Sequence, residues 1–129
     1  MSVIDTRELA DEVRRLAERF SSMSDNRLAR ELPPYATRAD AGRLVAQQLA
    51  EAGQGVEERE ASTTPTWRQM PSLGDFAVGD QVAVTGTDLV TALDRLEDDV
   101  EVWSREGRIS ADVVAERLAA QLKALRLAL

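Results

Sequence analysis

The sequence contains no histidine and no cysteine among its 129 residues. Histidine is the usual general base near neutral pH, and cysteine supplies activated thiols and soft metal ligands. Their absence excludes thiol proteases, Ser-His-Asp hydrolases, zinc enzymes built on these ligands, haem proteins and di-iron bundles of the Glu-x-x-His type. Carboxylates, arginines, hydroxyls and backbone groups remain. We therefore expect a protein that is not an enzyme and that binds no cofactor.

Aromatic residues are also scarce, at 4% of the chain, so the core has to be built mainly from Leu, Val and Ala. Apolar residues make up 43% and charged residues 30%, which is typical of a globular protein. The net charge is −7, and residues 1–60 carry nine arginines against twelve acidic residues. Binding to a phosphate backbone needs clustered cations, so we expect no nucleic-acid partner.

Long hydrophobic runs are absent as well. No apolar stretch approaches the roughly 18 residues of a membrane-spanning helix, and the first residues lack the pattern of a signal peptide. Lys123 is the single lysine beside fifteen arginines, which indicates the bias of a GC-rich, bacterial genome. We expect an acidic cytoplasmic protein with no membrane partner.

Apolar residues recur at helical spacing in four long stretches. These stretches predict helices at about 6–22, 38–58, 76–97 and 111–127. Asp5 and Thr37 are the expected N-caps of the first two helices. The chain is thus predicted to be all-α, a single helical domain over residues 1–129 folded as a four-helix, roughly antiparallel bundle. A long flexible linker rich in Ser, Thr and Pro is predicted at about 59–74.

Alternating valines at 81–85 and 100–103 allow an alternative fold class. They are typical of strands, and with the helical pattern between them they would form a strand–helix–strand element in 80–104, making the protein α+β. Two short parallel strands without further partners are only marginally stable. We therefore favour the helix and leave the two possible strands open.

The last predicted helix has an apolar surface wider than one stripe. Besides its leucines it carries many alanines, so its apolar residues extend beyond the face that a bundle needs. This breadth predicts self-association, most simply as a homodimer. The candidate dimer-interface residues are Leu118, Leu122, Leu125 and Leu129.

Both tryptophans fall outside the helical stripes. Trp67 lies in the linker together with Arg68 and Met70, and Trp103 follows the second pair of alternating valines. Tryptophan and arginine are enriched at binding hot spots. We predict Trp67, Arg68, Met70 and Trp103 as candidate partner-binding residues, with folding of the linker tryptophan over its own core as the alternative.

Carboxylates are the remaining candidates for metal chemistry. Two clusters stand out: Glu57, Glu58 and Glu60, and then Asp94, Glu97, Asp98 and Glu101. Acidic residues three or four apart on a helix can hold Mg²⁺. As an acidic helical chain without histidine or cysteine, the protein resembles all-α nucleotide pyrophosphohydrolases of the MazG type, which implies Mg²⁺-dependent hydrolysis. The paired signature of that family, a Glu-rich run followed by Glu-x-x-Asp on a later helix, is not matched, so no metal ligands are assigned.

These observations predict a non-enzymatic helical interaction or adaptor module that self-associates, with a protein or a second copy of itself as partner. One alternative is a regulatory bundle that binds a small molecule in an apolar cavity between helices. The second alternative is a Mg²⁺-dependent protein similar to the nucleotide pyrophosphohydrolases.

Overall fold

A computed structural model describes residues 2–129, which are mostly helical (59%) with a small sheet of two strands. The helices of this part of the chain are α1 (Arg7–Ser21), α2 (Asp25–Leu28), α3 (Arg38–Glu57), α4 (Val78–Leu93) and α5 (Ala111–Ala128). The strands are β1 (Glu101–Ser104) and β2 (Gly107–Ser110). None of the helices in residues 2–129 combines the length and the apolarity needed to cross a bilayer.

The four predicted long helices are confirmed as α1, α3, α4 and α5. Thr37 is the N-cap of α3, and its hydroxyl accepts a hydrogen bond from the backbone N–H of Asp40 at 3.1 Å. The predicted cap of α1 needs a correction, because the N-cap is Thr6 and α1 begins one residue later than expected. Asp5, which lies one residue before this N-cap, instead accepts a hydrogen bond from the backbone N–H of Arg7 at 3.0 Å.

The valines at 81–85 are helical, so the first of the two possible strands is wrong. They lie in α4, which follows a 3-10 turn at Asp75–Ala77 and ends at Leu93, earlier than predicted. Val78, Val82, Leu89 and Leu93 are fully buried. Their spacing of four, seven and four residues places them on one helical face, and burial of this face outweighs the strand preference of single valines.

The second possible strand exists, so the all-α prediction is wrong in this region and the small sheet is consistent with the α+β alternative. The predicted strand–helix–strand element in 80–104 is wrong, because β1 pairs with a later strand. β1 pairs antiparallel with β2, with Val102 opposite Ile109. Arg105 and Glu106 form the turn between them, and Gly107 follows with a φ of 107° that glycine adopts with least strain. The partner strand is thus a local one, and an antiparallel hairpin needs no crossover helix.

The core lies where α4 packs on α1 and α3, and α5 closes it against α1. Glycines allow two of these helix contacts to be close. A Cβ atom at Gly86 would lie 2.7 Å from Cγ2 of Val13, and one at Gly42 would lie 2.8 Å from Cζ of Phe20. Real Cβ atoms do not approach other atoms so closely. The helices can therefore pack this closely at the two positions only because glycine has no side chain.

A buried ion pair joins α1 to the end of α5. The guanidinium of Arg126 donates from Nε to Oε1 of Glu12 at 2.8 Å and from a terminal nitrogen to Oε2 at 3.2 Å. Glu12 is 4% exposed. These hydrogen bonds lower the pKa of Glu12 against the opposing effect of burial. The pair therefore gives a carboxylate inside the helix interface the partner that a buried charge requires.

Candidate functional site

The four leucines predicted as a dimer interface lie in the core of the same chain. Leu118, Leu122, Leu125 and Leu129 are all buried within the described residues. Their side chains already pack against the rest of this chain, because α5 turns its leucine stripe toward α1 and α3. Self-association of the protein stays a prediction, and any surface that supports it has to be built from other residues.

Part of the predicted linker is bonded to α3. Residues 66–71, called the strap below, have no regular secondary structure, and their backbone groups pair with two glutamine side chains of α3. Gln54 donates to the carbonyl oxygen of Thr66 at 2.8 Å, and Gln47 accepts the N–H of Met70 at 2.9 Å. Flexibility of the linker as a whole stays a prediction. The bonds identify a segment that α3 holds, preceded by exposed residues at 62–64.

The strap brings Trp67 next to Trp103, so the two tryptophans share one open cleft. This cleft has a volume of about 250 Å³ and lies between α3, the hairpin and α5. Its apolar walls, besides the indole rings, come from Ala52, Ile109, Val114 and Leu118. Both tryptophans are half-buried. Each ring therefore packs on its own chain with one part and faces the cleft with another.

Arg68 and Met70, the other two candidate residues, do not line this cleft. They lie along a separate groove between α3 and α4. The guanidinium of Arg68 is exposed and forms a 2.8 Å ion pair with Glu57, while Met70 packs partly against the core. The structure thus brings together two of the four predicted partner-binding residues.

Charged side chains surround the cleft in balanced pairs. Arg105 donates from Nε to Oε1 of Glu51 at 2.6 Å and from a terminal nitrogen to Oε2 at 2.9 Å. These hydrogen bonds lower the pKa of Glu51, opposed by partial burial. Arg117 lies 3.7 Å from Glu106 on the rim. With two cations and two anions, the lining carries no net charge and favours an uncharged occupant.

Trp103 is held in place by contacts with three parts of the chain. Its indole N–H donates to the carbonyl oxygen of Ala61 at 3.1 Å. The guanidinium carbon of Arg108 lies 4.2 Å from the ring centroid, within the range of a cation–π contact. Behind the strand, α3 approaches so closely that a Cβ atom at Gly55 would collide with the carbonyl oxygen of Trp103. The cleft therefore has one rigid wall.

The other wall carries the second cation–π contact, between Arg105 and Trp67. Here the guanidinium carbon lies 5.9 Å from the ring centroid, near the outer limit of such contacts. Arg105 itself sits on the hairpin turn and is exposed. The strap wall is thus held to the rest of the cleft more loosely than the Trp103 wall.

The acidic clusters do not assemble. Within residues 2–129, no three acidic side chains come together in a group that could hold a metal ion. Asp94 instead accepts a hydrogen bond from the hydroxyl of Thr6, in front of α1. The resemblance to nucleotide pyrophosphohydrolases therefore gains no site residue from the structure.

Several cleft residues were missed from sequence. Glu51 belongs to a polar row on α3 with Gln47 and Gln54, spaced by four and three residues, and this row was a readable sign that the face meets polar groups. Arg105 and Arg117 gave no comparable sign, because their places depend on the hairpin and on the rotation of α5.

A comparison with protein-family models, curated proteins and solved structures finds no match to this chain.

Proposed function

We propose that the chain is a protein-interaction module and that the Trp67–Trp103 cleft is its binding site. One observation carries the proposal: both tryptophans of the protein meet in one open cleft, together with two arginines. Tryptophan and arginine dominate the energetics of protein interfaces because they cover much area and form directed contacts. We further propose that the scaffold holding the cleft is a four-helix, roughly antiparallel bundle with a hairpin inserted before α5.

The size and charge of the cleft favour a protein side chain over a metabolite. About 250 Å³ is below the 300–1,000 Å³ of most ligand pockets, but it is enough for one large apolar side chain. Glu51 and Arg105 neutralise each other inside it. A phosphorylated or strongly anionic metabolite would meet an acidic side chain beside each arginine, whereas an apolar anchor residue of a partner gains free energy by leaving water.

Site-specific crosslinking tests this proposal. A photoreactive amino acid is placed at Arg117 on the cleft rim, or at Leu127, which is exposed on the same helix, as the matched control. After irradiation in cells, we expect one protein to be captured from position 117 and not from 127. Its affinity for the purified chain should then fall by about 30-fold in Trp103→Ala, the size of a hot-spot loss of about 2 kcal/mol.

Trp103→Phe is the second variant, because it keeps an aromatic wall if Trp103→Ala disturbs the hairpin. We expect it to bind more tightly than Trp103→Ala. Equal capture from positions 117 and 127, or an affinity that neither Trp103 variant changes, would reject the cleft as the interface.

The same experiments would also identify two other kinds of occupant of the cleft. Capture of the chain by itself, together with a dimer in light scattering, would assign the cleft to self-association. A retained metabolite in native mass spectrometry of the purified chain, lost in Trp103→Ala, would favour the small-molecule regulatory alternative.

A further inference from the structure

The strap is held on α3 in the manner of an edge strand. Gln54 donates to the carbonyl oxygen of Thr66 at 2.8 Å and accepts the N–H of Arg68 at 2.9 Å. Gln47 repeats this pattern, donating to the carbonyl oxygen of Arg68 and accepting the N–H of Met70, both at 2.9 Å. Alternate residues thus present N–H and C=O groups to one side, as strands do along a sheet edge.

The direction of these hydrogen bonds is determined by chemistry. A backbone N–H can only donate, so the amide oxygens of Gln47 and Gln54 have to face the strap nitrogens and their NH₂ groups the carbonyls. A third glutamine, Gln81 of α4, donates to the carbonyl oxygen of Pro71 at 3.2 Å. All five bonds go to main-chain atoms. These glutamines therefore recognise an extended backbone rather than a particular sequence.

The strap can leave this site without breaking a helix or the hairpin. Exposed residues lie on both sides of it, at 62–64 and 72–74. Release of the strap would also expose the buried Pro65 directly before it and break the 3.2 Å hydrogen bond from Arg43 to the carbonyl oxygen of Leu73 after it. Its own residues belong to no helix or strand of the fold. Two apolar side chains contribute further contacts: Trp67 toward the cleft and Met70 toward the core. The strap thus has the composition of a bound peptide: a main-chain pattern, an aromatic side chain and a flexible apolar side chain three residues later.

We propose that Gln47, Gln54 and Gln81 form a main-chain-binding peptide site and that the strap is its tethered, exchangeable occupant. The partner is an extended segment of about six residues with an aromatic side chain in the place of Trp67 and an apolar one in the place of Met70. It displaces the strap and puts its own aromatic ring beside Trp103. This inference rests on the proposed function, because it names the chemistry of the partner that enters the cleft.

Because the strap is part of the same chain, its covalent attachment determines how tightly a partner has to bind in order to displace it. A segment held by short linkers has an effective concentration in the millimolar range. A free peptide with the same contacts therefore displaces it poorly, and weakening the strap should raise the affinity for the peptide. The partner should compensate for the tether with contacts outside the site.

The probe is a fluorescent synthetic peptide with the sequence of residues 64–73, titrated by anisotropy against the full chain. The test variant is Trp67→Ala with Met70→Ala, which weakens the strap and keeps the three glutamines. We expect it to bind the peptide at least about tenfold more tightly than the wild type does. Adding Gln47→Ala and Gln54→Ala should reduce the affinity by about tenfold or more.

Two methylated peptides provide the matched control. N-methylation at Arg68 and Met70 removes the two donors that face Gln54 and Gln47. N-methylation at Trp67 and Gln69 removes two donors that the glutamines do not use. We expect a loss of about tenfold or more for the first peptide and less than about threefold for the second. Equal losses, or no binding of any peptide by the strap-weakened chain, would overturn the proposal.

If the double substitution unfolds, a long Gly-Ser insertion after Thr63 replaces it, because lengthening the linker lowers only the effective concentration of the strap. For a linker of about twice the length we expect peptide binding to tighten by about two- to threefold. Light scattering is run alongside. A wild-type dimer that exchanges straps would assign the occupant to a second copy and overturn the partner proposal.

Trp103→Ala separates this inference from the proposed function. Peptide binding with the methylation difference intact, but unaffected by Trp103→Ala, would support the glutamine site and reject the cleft. A partner captured at Arg117 whose binding weakens in Trp67→Ala would show the reverse. The cleft would then work with the strap in place, and strap exchange would be rejected.

Discussion

The two sides of α3 are held by different kinds of contact. Toward α1 and α4 the helix presents glycine and apolar side chains, with Gly42 closely approached by Phe20 and Val78. Toward the strap it presents Gln47 and Gln54, each bonded to the backbone of an irregular segment. The first side is stabilised by burial of apolar area, which depends on shape and volume. The second depends on matching individual donors and acceptors.

This difference separates a permanent interface from an exchangeable one. Apolar helix packing has no replacement within the chain, so losing it exposes the core to water. Backbone groups of the strap can exchange the glutamines for water or for another peptide at a small net free-energy difference. Loss of a core contact should therefore destabilise the protein more than loss of a strap contact.

Truncation of a core leucine on α5 should have the largest effect. Leu122 is fully buried, and Leu122→Ala should lower the free energy of unfolding by about 2–5 kcal/mol through lost burial and a cavity. Leu127→Ala is the control, because this side chain is 69% exposed and should change stability by less than about 0.5 kcal/mol. Urea unfolding followed by circular dichroism measures both. Equal effects would mean that α5 does not pack as described.

Two glycines of α3 test the close approach to the hairpin. A Cβ atom at Gly55 would collide with a backbone oxygen of β1, whereas one at Gly53 has no neighbour within 4 Å. Gly55→Ala should therefore destabilise the protein by about 1–3 kcal/mol. Gly53→Ala should stabilise it by about 0.5–1 kcal/mol through helix propensity. Thermal unfolding of both variants measures whether each substitution raises or lowers stability, and a stabilising Gly55→Ala would contradict the contact.

The buried ion pair between α1 and α5 should make stability depend on pH. The pKa of Glu12 lies below its ordinary value of 4.5, chiefly because Arg126 hydrogen-bonds to the carboxylate. A carboxyl group with a lowered pKa stabilises the fold above its unfolded pKa, and this contribution is lost as the pH falls through the folded pKa. Unfolding free energies should therefore decline below about pH 4.5.

Glu12→Gln should remove part of this decline and cost about 1–2 kcal/mol at pH 7, because the amide keeps the shape but loses one acceptor and the charge. Glu18→Gln on the same helix is the control, since its side chain is exposed and surface pairs contribute little. A decline with pH that is the same in wild type and Glu12→Gln would show that Glu12 is not its source.

An insertion in the exposed part of the linker should have the smallest effect on the free energy of unfolding. Insertion of two glycines after Thr63 lengthens an exposed stretch and should cost only about 0.1–0.3 kcal/mol. The same insertion after Gln69 would shift Met70 out of register with Gln47 and should cost more. A broad-specificity protease should cut the wild type first at 62–64. First cleavage within the strap would indicate that the glutamine bonds do not hold it.

Much of the helical part of the fold could be predicted from the sequence. The stripes of α1 and α5 have one period over several turns, so their boundaries were correct to within about one residue. The end of α4 was less predictable, because Leu96 continues its stripe although the helix stops at Leu93. The hairpin was missed because β2 contributes one strong apolar residue, Ile109, and a single residue has no period.

The candidate site was only partly predictable. Trp67 and Trp103 stood out by residue type, but 36 positions separate them in the sequence, and no local pattern indicates that they meet. The leucines of α5 were assigned to a dimer interface because the width of an apolar surface does not show what covers it. In the structure, α1 and α3 cover it.

The sequence by itself determined the helices, the absence of histidine and cysteine chemistry, and the polar row on α3, since residue type and spacing along the chain are sufficient for these. Tertiary structure decided the hairpin, the meeting of the tryptophans, the neutral charge of the cleft and the pairing of the strap with its glutamines. The reason is physical: period and composition are local properties of a chain. A cleft depends on the distance and rotation between elements, which are set by packing of the whole core.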